Sequence, residues 1–391
     1  MRKRADAIAV YVRSANMVPA ARRIVTEPPH VRHLAIECSR WPRDQRGIGR
    51  YFSTLLPRIA TLRPDLRFTL FAGNAADRRT LEARVAGSAM LRSRADVRLL
   101  GELRRTDAEV FWYPWNAIVH RPRRGAIVVT VHDVGPLAVP DPRWTRALRN
   151  LRWRVRYREI ARIATLLVAD SEFTAREVER LLGVRRDRVH VVPLGGDEGA
   201  LPDPARDAEA LERLGVRRPF VLAVGAADRR KNVAMLQRAM QLVHGRFPAA
   251  TLVWAGPRKA SRTGRPQPPW EHMAGFVSDD DLWTLYRRAE LFVMPSRYEG
   301  FGLPVLEAMR AGTPVVSTDA ASLTEVGGAA AQYVSPDDHA GMADAICGVL
   351  GDAVRAQAMR EAGFAQVARF TWAETARRTV AAFDAAAAGR P

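Results

Sequence analysis

Two glutamates eight residues apart, Glu299 and Glu307, lie in the stretch SRYEGFGLPVLEAMRAGTPVV (296–316). Gly300 and Gly302 break a helix, and Pro304 suits the first turn of one, so the two carboxylates cannot share one regular helix. Glu299 therefore belongs to a loop, and Glu307 lies about one turn into the helix that follows. The amides of Phe301, Gly302 and Leu303 then point from a helix N-terminus. That end carries ~+0.5 of an elementary charge and favours an anion such as phosphate. A carboxylate in the first turns can hold ribose hydroxyls. The bland alternative is a capped helix with surface acids; the Gly-rich turn between the glutamates argues against it.

A second basic group stands in VLAVGAADRRKNVAML (221–236), where Arg230 and Lys231 follow a strand and precede a helix. Arginine offers a bidentate fork and lysine a compact point charge. Cations are unfavourable at a helix start unless an anion is near. Lysine occurs only at 3, 231 and 259, leaving 61 − 3 = 58 arginines. A lysine kept in such a chain suggests a need for the smaller ammonium. VTVHDVGPL (129–137) puts His132 and Asp133 at a strand's carboxyl end, where a histidine can donate to a sugar hydroxyl or an oxyanion. RGIGRY (46–51) offers Gly47 and Gly49, which let amides approach a diphosphate but lack the third glycine of a dinucleotide fingerprint.

Such residues need strands behind them. Short apolar runs alternate with helical segments from residue 33 onward: HLAIECS (33–39), RFTLFAG (67–73), VRLL (97–100), VFWYPW (110–115), AIVVTVHDV (126–134), TLLVADS (165–171) and VHVVPLG (189–195). The plan repeats in FVLAVG (220–225), TLVWAG (251–256), HMAGFV (272–277), LFVMPS (291–296) and PVVSTD (314–319), with helices over 232–246, 279–289, 303–311 and 338–351. This predicts an α/β chain of two doubly wound Rossmann-like domains facing across a cleft, each parallel sheet covered on both faces. The expected boundaries are a basic leader over 1–30, a first Rossmann-like domain over 31–197 and a second over 198–370. A last helix, 371–391, can pack back on the first domain. Ser278 and Asp281 have capping-box spacing before DLWTLYRRA.

Composition narrows the function. The 391 residues are 47% apolar, so the chain is globular. Two cysteines, Cys38 and Cys347, exclude a disulfide framework and a thiolate zinc site. No apolar run reaches the ~18 residues of a membrane helix. Charge is uneven: residues 1–200 carry 38 basic and 21 acidic groups, or +17, and residues 201–391 carry 23 and 21, or +2. WTRALRNLRWRVRYREIARIA (144–164) places Trp144, Leu148, Leu151 and Val155 roughly on one helix face among arginines. It reads either as a helix docking on anionic lipid or as a core-facing helix with a solvated basic face. No recognition helix, RNP-like or zinc-finger pattern supports specific nucleic-acid binding.

In this order, GIGRY (47–51), VHD (131–133), SEFT (171–174), VPLGGD (192–197), RRKN (229–232), WAGP (254–257), GFV (275–277) and EGFGLPVLE (299–307) resemble the retaining glycosyltransferases of family 4, with the GT-B fold, over about 33–385. Among these the chain looks most like bacterial mannosyltransferases that build lipid-linked polysaccharide. The resemblance implies a nucleotide-sugar donor, first GDP-mannose, and a glycan or polyprenyl-diphosphate-linked acceptor. It places the enzyme in the cytoplasm, peripheral at the inner face of the membrane, with the basic N-terminal domain on the anionic surface. It implies that Arg230 and Lys231 hold the diphosphate with the backbone of Phe301, Gly302 and Leu303. Glu307 would hold the ribose, Glu299 and His132 would lie at the transferred sugar, and Gly47 and Gly49 near the diphosphate. No cofactor or metal is implied. Attack is from the donor's front face, so Glu299 is not assigned as a covalent nucleophile. Ala226 stands where some members carry arginine. Rival readings are a UDP-sugar transferase, a nucleotide-sugar epimerase and a non-catalytic sugar-nucleotide-binding subunit.

Overall fold

The computed structural model describes residues 30–43, 47–140, 142–196, 203–226, 229–257 and 268–389. The leader expected over 1–30, His30 apart, lies outside them, as does the expected boundary at 197/198. The N-terminal half opens with β1 (His33–Glu37), α1 (Ile48–Leu62), β2 (Arg67–Ala72), α2 (Ala75–Ala86), β3 (Ala95–Leu99), β4 (Val110–Tyr113) and β5 (Ala126–Val131). It continues through α3 (Gly135–Ala138), α4 (Ala147–Ile163), β6 (Leu166–Ala169), α5 (Glu172–Leu182) and β7 (Val189–Val191). The C-terminal half begins with α6 (Asp207–Arg213), β8 (Phe220–Val224), α7 (Val233–Arg246), β9 (Thr251–Ala255), β10 (Glu271–Gly275), α8 (Asp279–Arg288) and β11 (Leu291–Met294). It ends with α9 (Leu303–Arg310), β12 (Val315–Thr318), α10 (Leu323–Gly327), β13 (Ala331–Val334), α11 (His339–Leu350), α12 (Ala353–Val367) and α13 (Trp372–Ala388).

Two parallel sheets result. The first has seven strands in the order β3-β2-β1-β4-β5-β6-β7, and the second six in the order β10-β9-β8-β11-β12-β13. Ile36 pairs with Leu70 on one side and Trp112 on the other, which makes β1 central. Every residue of AIVVTV in β5 and LFVM in β11 is buried, as strands covered on both faces require. Strand order reverses between β1 and β4 and between β8 and β11. Ligands of open α/β sheets bind beyond the carboxyl ends of strands at such reversals.

Several elements were not expected from the sequence, β13 and α12 among them. β13 (AQYV) is a half-buried edge strand with little apolar run. α12 is alanine-rich and buries only Ala356, Gly363, Gln366 and Val367. At α8, the Ser278 hydroxyl accepts the Asp281 amide at 3.1 Å, so the cap forms. The Asp281 carboxylate pairs with Arg213 instead of returning to the Ser278 backbone.

α4 departs from the core-facing alternative. Only Tyr157 and Ile160 are buried along it. Leu148, Leu151 and Val155 are 63%, 55% and 58% exposed, so the predicted apolar stripe faces outward. The Trp144 side chain lies outside the description. Arg156, expected among the outward arginines, turns inward and stacks its guanidinium over Trp153, 5.1 Å from the ring centroid.

α13 crosses back to pack against α1, β4, β5 and β6. Its Phe383 lies 5.4 Å, centroid to centroid, from Trp112, which also contacts Phe52 at 5.4 Å. Trp112 Nε1 donates to Thr130 Oγ1 at 2.9 Å. The Asp384 carboxylate accepts the Val31 amide at 2.9 Å and faces Arg63. Phe383→Ala is therefore expected to cost about 3–5 kcal/mol in urea unfolding. A cost below about 1 kcal/mol would mean that α13 is not part of that core.

Candidate active site

The loops after β5, β6 and β11 meet between the two sheets. Gly300 is their closest point: a Cβ there would lie 1.8 Å from the His132 carbonyl oxygen and 2.9 Å from Asp133 Cβ. Only glycine fits. The Gly300 carbonyl accepts from Ser171 Oγ at 2.6 Å and Thr174 Oγ1 at 2.9 Å. Ser171 also caps α5 by accepting the Thr174 amide at 3.0 Å. From the other side, Glu325 of α10 accepts the amides of Glu172 and Phe173, placing a carboxylate at the positive end of α5.

Lys231 and Glu299 stand at the reversal between β8 and β11. Lys231 Nζ lies 3.0 Å from Glu299 Oε1, with both side chains largely shielded. Gly225 ends the β8 run with φ +119°, and a Cβ there would come within 2.9 Å of Lys231 Cε. The loop backbone is fixed by Ser322, whose hydroxyl donates to the carbonyls of Glu299 (3.0 Å) and Phe301 (2.7 Å). Gly302 caps α9, which begins at Leu303 with Pro304 in its first turn. Phe301 is buried, edge-on to Phe370. The helix start and the ammonium thus share one strand end. Arg230 reaches across to the first domain, with Nη1 3.5 Å from Asp133 Oδ2.

Glu307 is buried on the second turn of α9. Its Oε1 accepts from Arg50 Nη1 at 2.7 Å and its Oε2 from the Tyr286 hydroxyl at 2.9 Å. Arg50 belongs to α1 of the other domain. It follows Gly47, the N-cap of that helix, and Gly49 in its first turn. Gly49 already lies within the helix, so the amides there are those of a helix N-terminus. The recess beside Glu307, lined by Arg50, Leu303, Trp283, Trp372 and Gly195–Gly196, holds about 10 Å³, room for about one water. The cleft is closed over Glu307. A larger cavity of about 580 Å³, lined by Pro219, Phe247, Glu290 and Leu350 among others, opens at the opposite ends of the strands, away from these residues.

His132 differs most from expectation. Its Nδ1 lies 2.6 Å from Asp170 Oδ2 and its Nε2 2.9 Å from the Pro114 carbonyl. With Asp170 ionised both partners accept, and both ring nitrogens then donate from a protonated ring. Burial opposes that charge, but the Asp170 carboxylate and the hydrogen bonds outweigh it, and the histidine pKa is raised. The ring also meets Tyr51 edge-on at 4.8 Å. Contact with a sugar hydroxyl therefore requires exchange of one internal hydrogen bond.

Arg50, Asp170 and Tyr286 were not singled out from the sequence, and Gly300 was read only as a helix breaker. Arg50 and Gly300 lie inside quoted motifs and Asp170 directly precedes SEFT; Tyr286 carries no signal. Gly300→Ala should lower both the melting temperature and donor turnover. Gly101→Ala, where a Cβ would meet nothing within 4 Å, serves as the control and should change neither. Unchanged melting and turnover in Gly300→Ala would contradict the packed cleft.

Residues 74–199 match the family model Glycosyltransferase Family 4, and residues 218–352 match Glycosyl transferases group 1. O-antigen chain mannosyltransferase B of Escherichia coli is 29% identical over 381 residues, covering 86% of this chain and 95% of that one. Serotype-specific mannosyltransferase WbdA of Escherichia coli is 30% identical over 274 residues, covering 66% of this chain and 33% of WbdA. The chain thus spans about a third of that longer relative. The crystal structure of Anabaena HepE in complex with UDP superposes with a TM-score of 0.64 at 17% identity, over 90% of this chain and 98% of HepE, and shares its fold. With the two family models falling on the two halves in order, the chain belongs to the family 4 glycosyltransferases.

Proposed function

We propose that this enzyme moves mannose from GDP-mannose, with retained configuration, to a glycan or polyprenyl-diphosphate-linked acceptor in cell-surface polysaccharide assembly. The carrying observation is the meeting of Lys231, Glu299 and the α9 N-terminus at one strand reversal, opposed across the cleft by Arg50 and His132. The names of the two mannosyltransferase relatives favour mannose. UDP in the HepE crystal keeps a UDP-sugar donor as the second reading.

The leaving group is a nucleoside diphosphate. As the bond from the anomeric carbon to the phosphate oxygen breaks, its electron pair stays on that oxygen. Lys231, Arg230 and the α9 amides are placed to receive the charge, with no metal or cofactor invoked, and preorganised donors of this kind supply several kcal/mol. The acceptor oxygen forms the new bond from the same face and passes its proton to the departing phosphate. Glu299 is paired with Lys231, which suits positioning rather than nucleophilic attack. Glu307 binds the ribose once Arg50 yields one carboxylate oxygen.

Two tests address donor and site. Thermal stabilisation is measured at fixed salt with GDP, UDP, ADP and GDP-mannose; a ligand at 100 times its Kd adds about 2.7 kcal/mol. Selective shifts with GDP and GDP-mannose are expected, and a selective UDP response would replace the donor. In Lys231→Ala and Glu307→Ala, GDP release should fall at least tenfold, about 1.4 kcal/mol of transition-state stabilisation. Near-wild-type rates in both would overturn the assignment.

The exposed stripe Leu148, Leu151 and Val155, flanked by Arg149, Arg152, Arg154 and Arg158, supports docking of the N-terminal domain on an anionic membrane surface. Among the described residues no helix is long and apolar enough to cross a membrane. Replacing the three apolar residues with serine and Arg149 and Arg152 with glutamine should abolish flotation with phosphatidylglycerol vesicles. Unchanged flotation would remove this element of the proposal.

A further inference from the structure

The carboxylate read above as the ribose ligand is already engaged within the protein. Glu307 Oε1 accepts from Arg50 of the opposite domain at 2.7 Å, and Oε2 from Tyr286 of its own domain at 2.9 Å. The recess beside them holds about 10 Å³. Pockets for small ligands run to about 300–1,000 Å³, so no sugar fits against Glu307 while these side chains keep their places.

The groups around the recess differ in what they can yield. The Gly196 amide donates to the Phe370 carbonyl at 2.9 Å, and a Cβ on Gly196 would lie 2.9 Å from Leu306 Cβ. That crossing segment has no room to recede. Trp283 and Trp372 are buried, and Tyr286 is buried edge-on to Phe292 at 5.6 Å. Arg50 differs from all of these. Its side chain is 27% exposed, and among the described residues it is the one cation lining the recess.

Its place in the chain adds a second observation. Arg50 stands in the first turn of α1, which holds no acidic residue, and Gly47 gives that helix no side-chain cap. A cation is disfavoured at this end of a helix. Glu307 supplies the missing negative charge from 257 residues away. The guanidinium is thus held by the carboxylate of the other domain and not by its own helix.

We propose that Arg50 is an internal competitor for the donor's ribose: its guanidinium occupies the carboxylate that the sugar must take, and donor binding exchanges one for the other. Ribose hydroxyls donate to a carboxylate as a guanidinium does, so Glu307 stays satisfied after the exchange. Tyr286, on the same domain as Glu307, keeps its bond. The competition lowers donor affinity by the fraction of protein in which Arg50 has withdrawn. It also favours ligands with ribose hydroxyls, because any other ligand that displaced Arg50 would leave a buried carboxylate short of a donor. The inference rests on the reading of Glu307 as the ribose ligand.

The test measures Kd by calorimetry for GDP and for UDP on the full chain, and follows the tighter of the two through the variants. Arg50→Ala should tighten it roughly fivefold or more. The same variant should lower the melting temperature without nucleotide and leave it unchanged at saturation, whereas a merely structural contact would lower both. In Glu307→Ala, removal of Arg50 should change the affinity less than about twofold, because the competition is for that carboxylate. Arg50→Gln keeps one donor for Glu307 and drops the charge; it should tighten binding by a smaller factor, and it serves where Arg50→Ala does not fold. Unchanged or weaker binding in the Arg50 variants overturns the proposal, and weaker binding would make Arg50 a direct ligand of the donor. An equal gain in the Glu307→Ala background overturns it as well. Protein that binds neither nucleotide, with Arg50 or without it, overturns the donor reading and the competition together.

Discussion

The carbonyl of Gly300, held by two hydroxyls of the opposite domain, sets the width of the cleft. Everything proposed for the site depends on that contact. It brings the loop with Glu299 onto the backbone of His132 and leaves no space for a side chain between them. The hydroxyls are themselves fixed, because Ser171 is at once the cap of α5 and a donor to Gly300. One short segment thus closes a helix and aligns two domains. The same economy appears at Glu325, whose carboxylate stabilises a helix start in the other half.

Charge in the cleft is arranged in matched pairs that a ligand must enter by exchange. Lys231 faces Glu299, Arg50 faces Glu307, Arg230 faces Asp133, and His132 faces Asp170. Three of the four pairs involve a group expected to touch the donor's phosphates or ribose. Pairing keeps these charges from being buried alone, where the cost would be high. It also preorganises them, since each cation is already oriented when the nucleotide arrives. On the proposed reading a donor phosphate would substitute for a carboxylate with little rearrangement.

Much of this was legible in the sequence, for physical reasons that also mark the limits. Runs such as FVLAV and LFVM read as strands because parallel strands are covered on both faces. AQYV did not, because an edge strand needs no such run. Glu299, Glu307 and Lys231 could be placed because each follows a strand of its own domain. The bond from Arg50 to Glu307 could not, because it joins two domains 257 residues apart in the chain. Spacing encodes local geometry and says nothing of docking between halves. In α4 the period revealed a stripe but not its direction. Tyr157 and Ile160 provide the inward contacts, and Leu148, Leu151 and Val155 face out.

The return of α13 gives the first domain a particular history during synthesis. Its sheet is complete once Val191 has been made, yet the cover over Trp112 arrives with Phe383. At ribosomal rates of about 5–20 residues per second, the interval between them is roughly 10–40 s. For that time an apolar face centred on Phe52 and Trp112 awaits its cover. The first domain is therefore finished only after the second has been made, and chains truncated before α13 expose a sticky surface to chaperones and proteases.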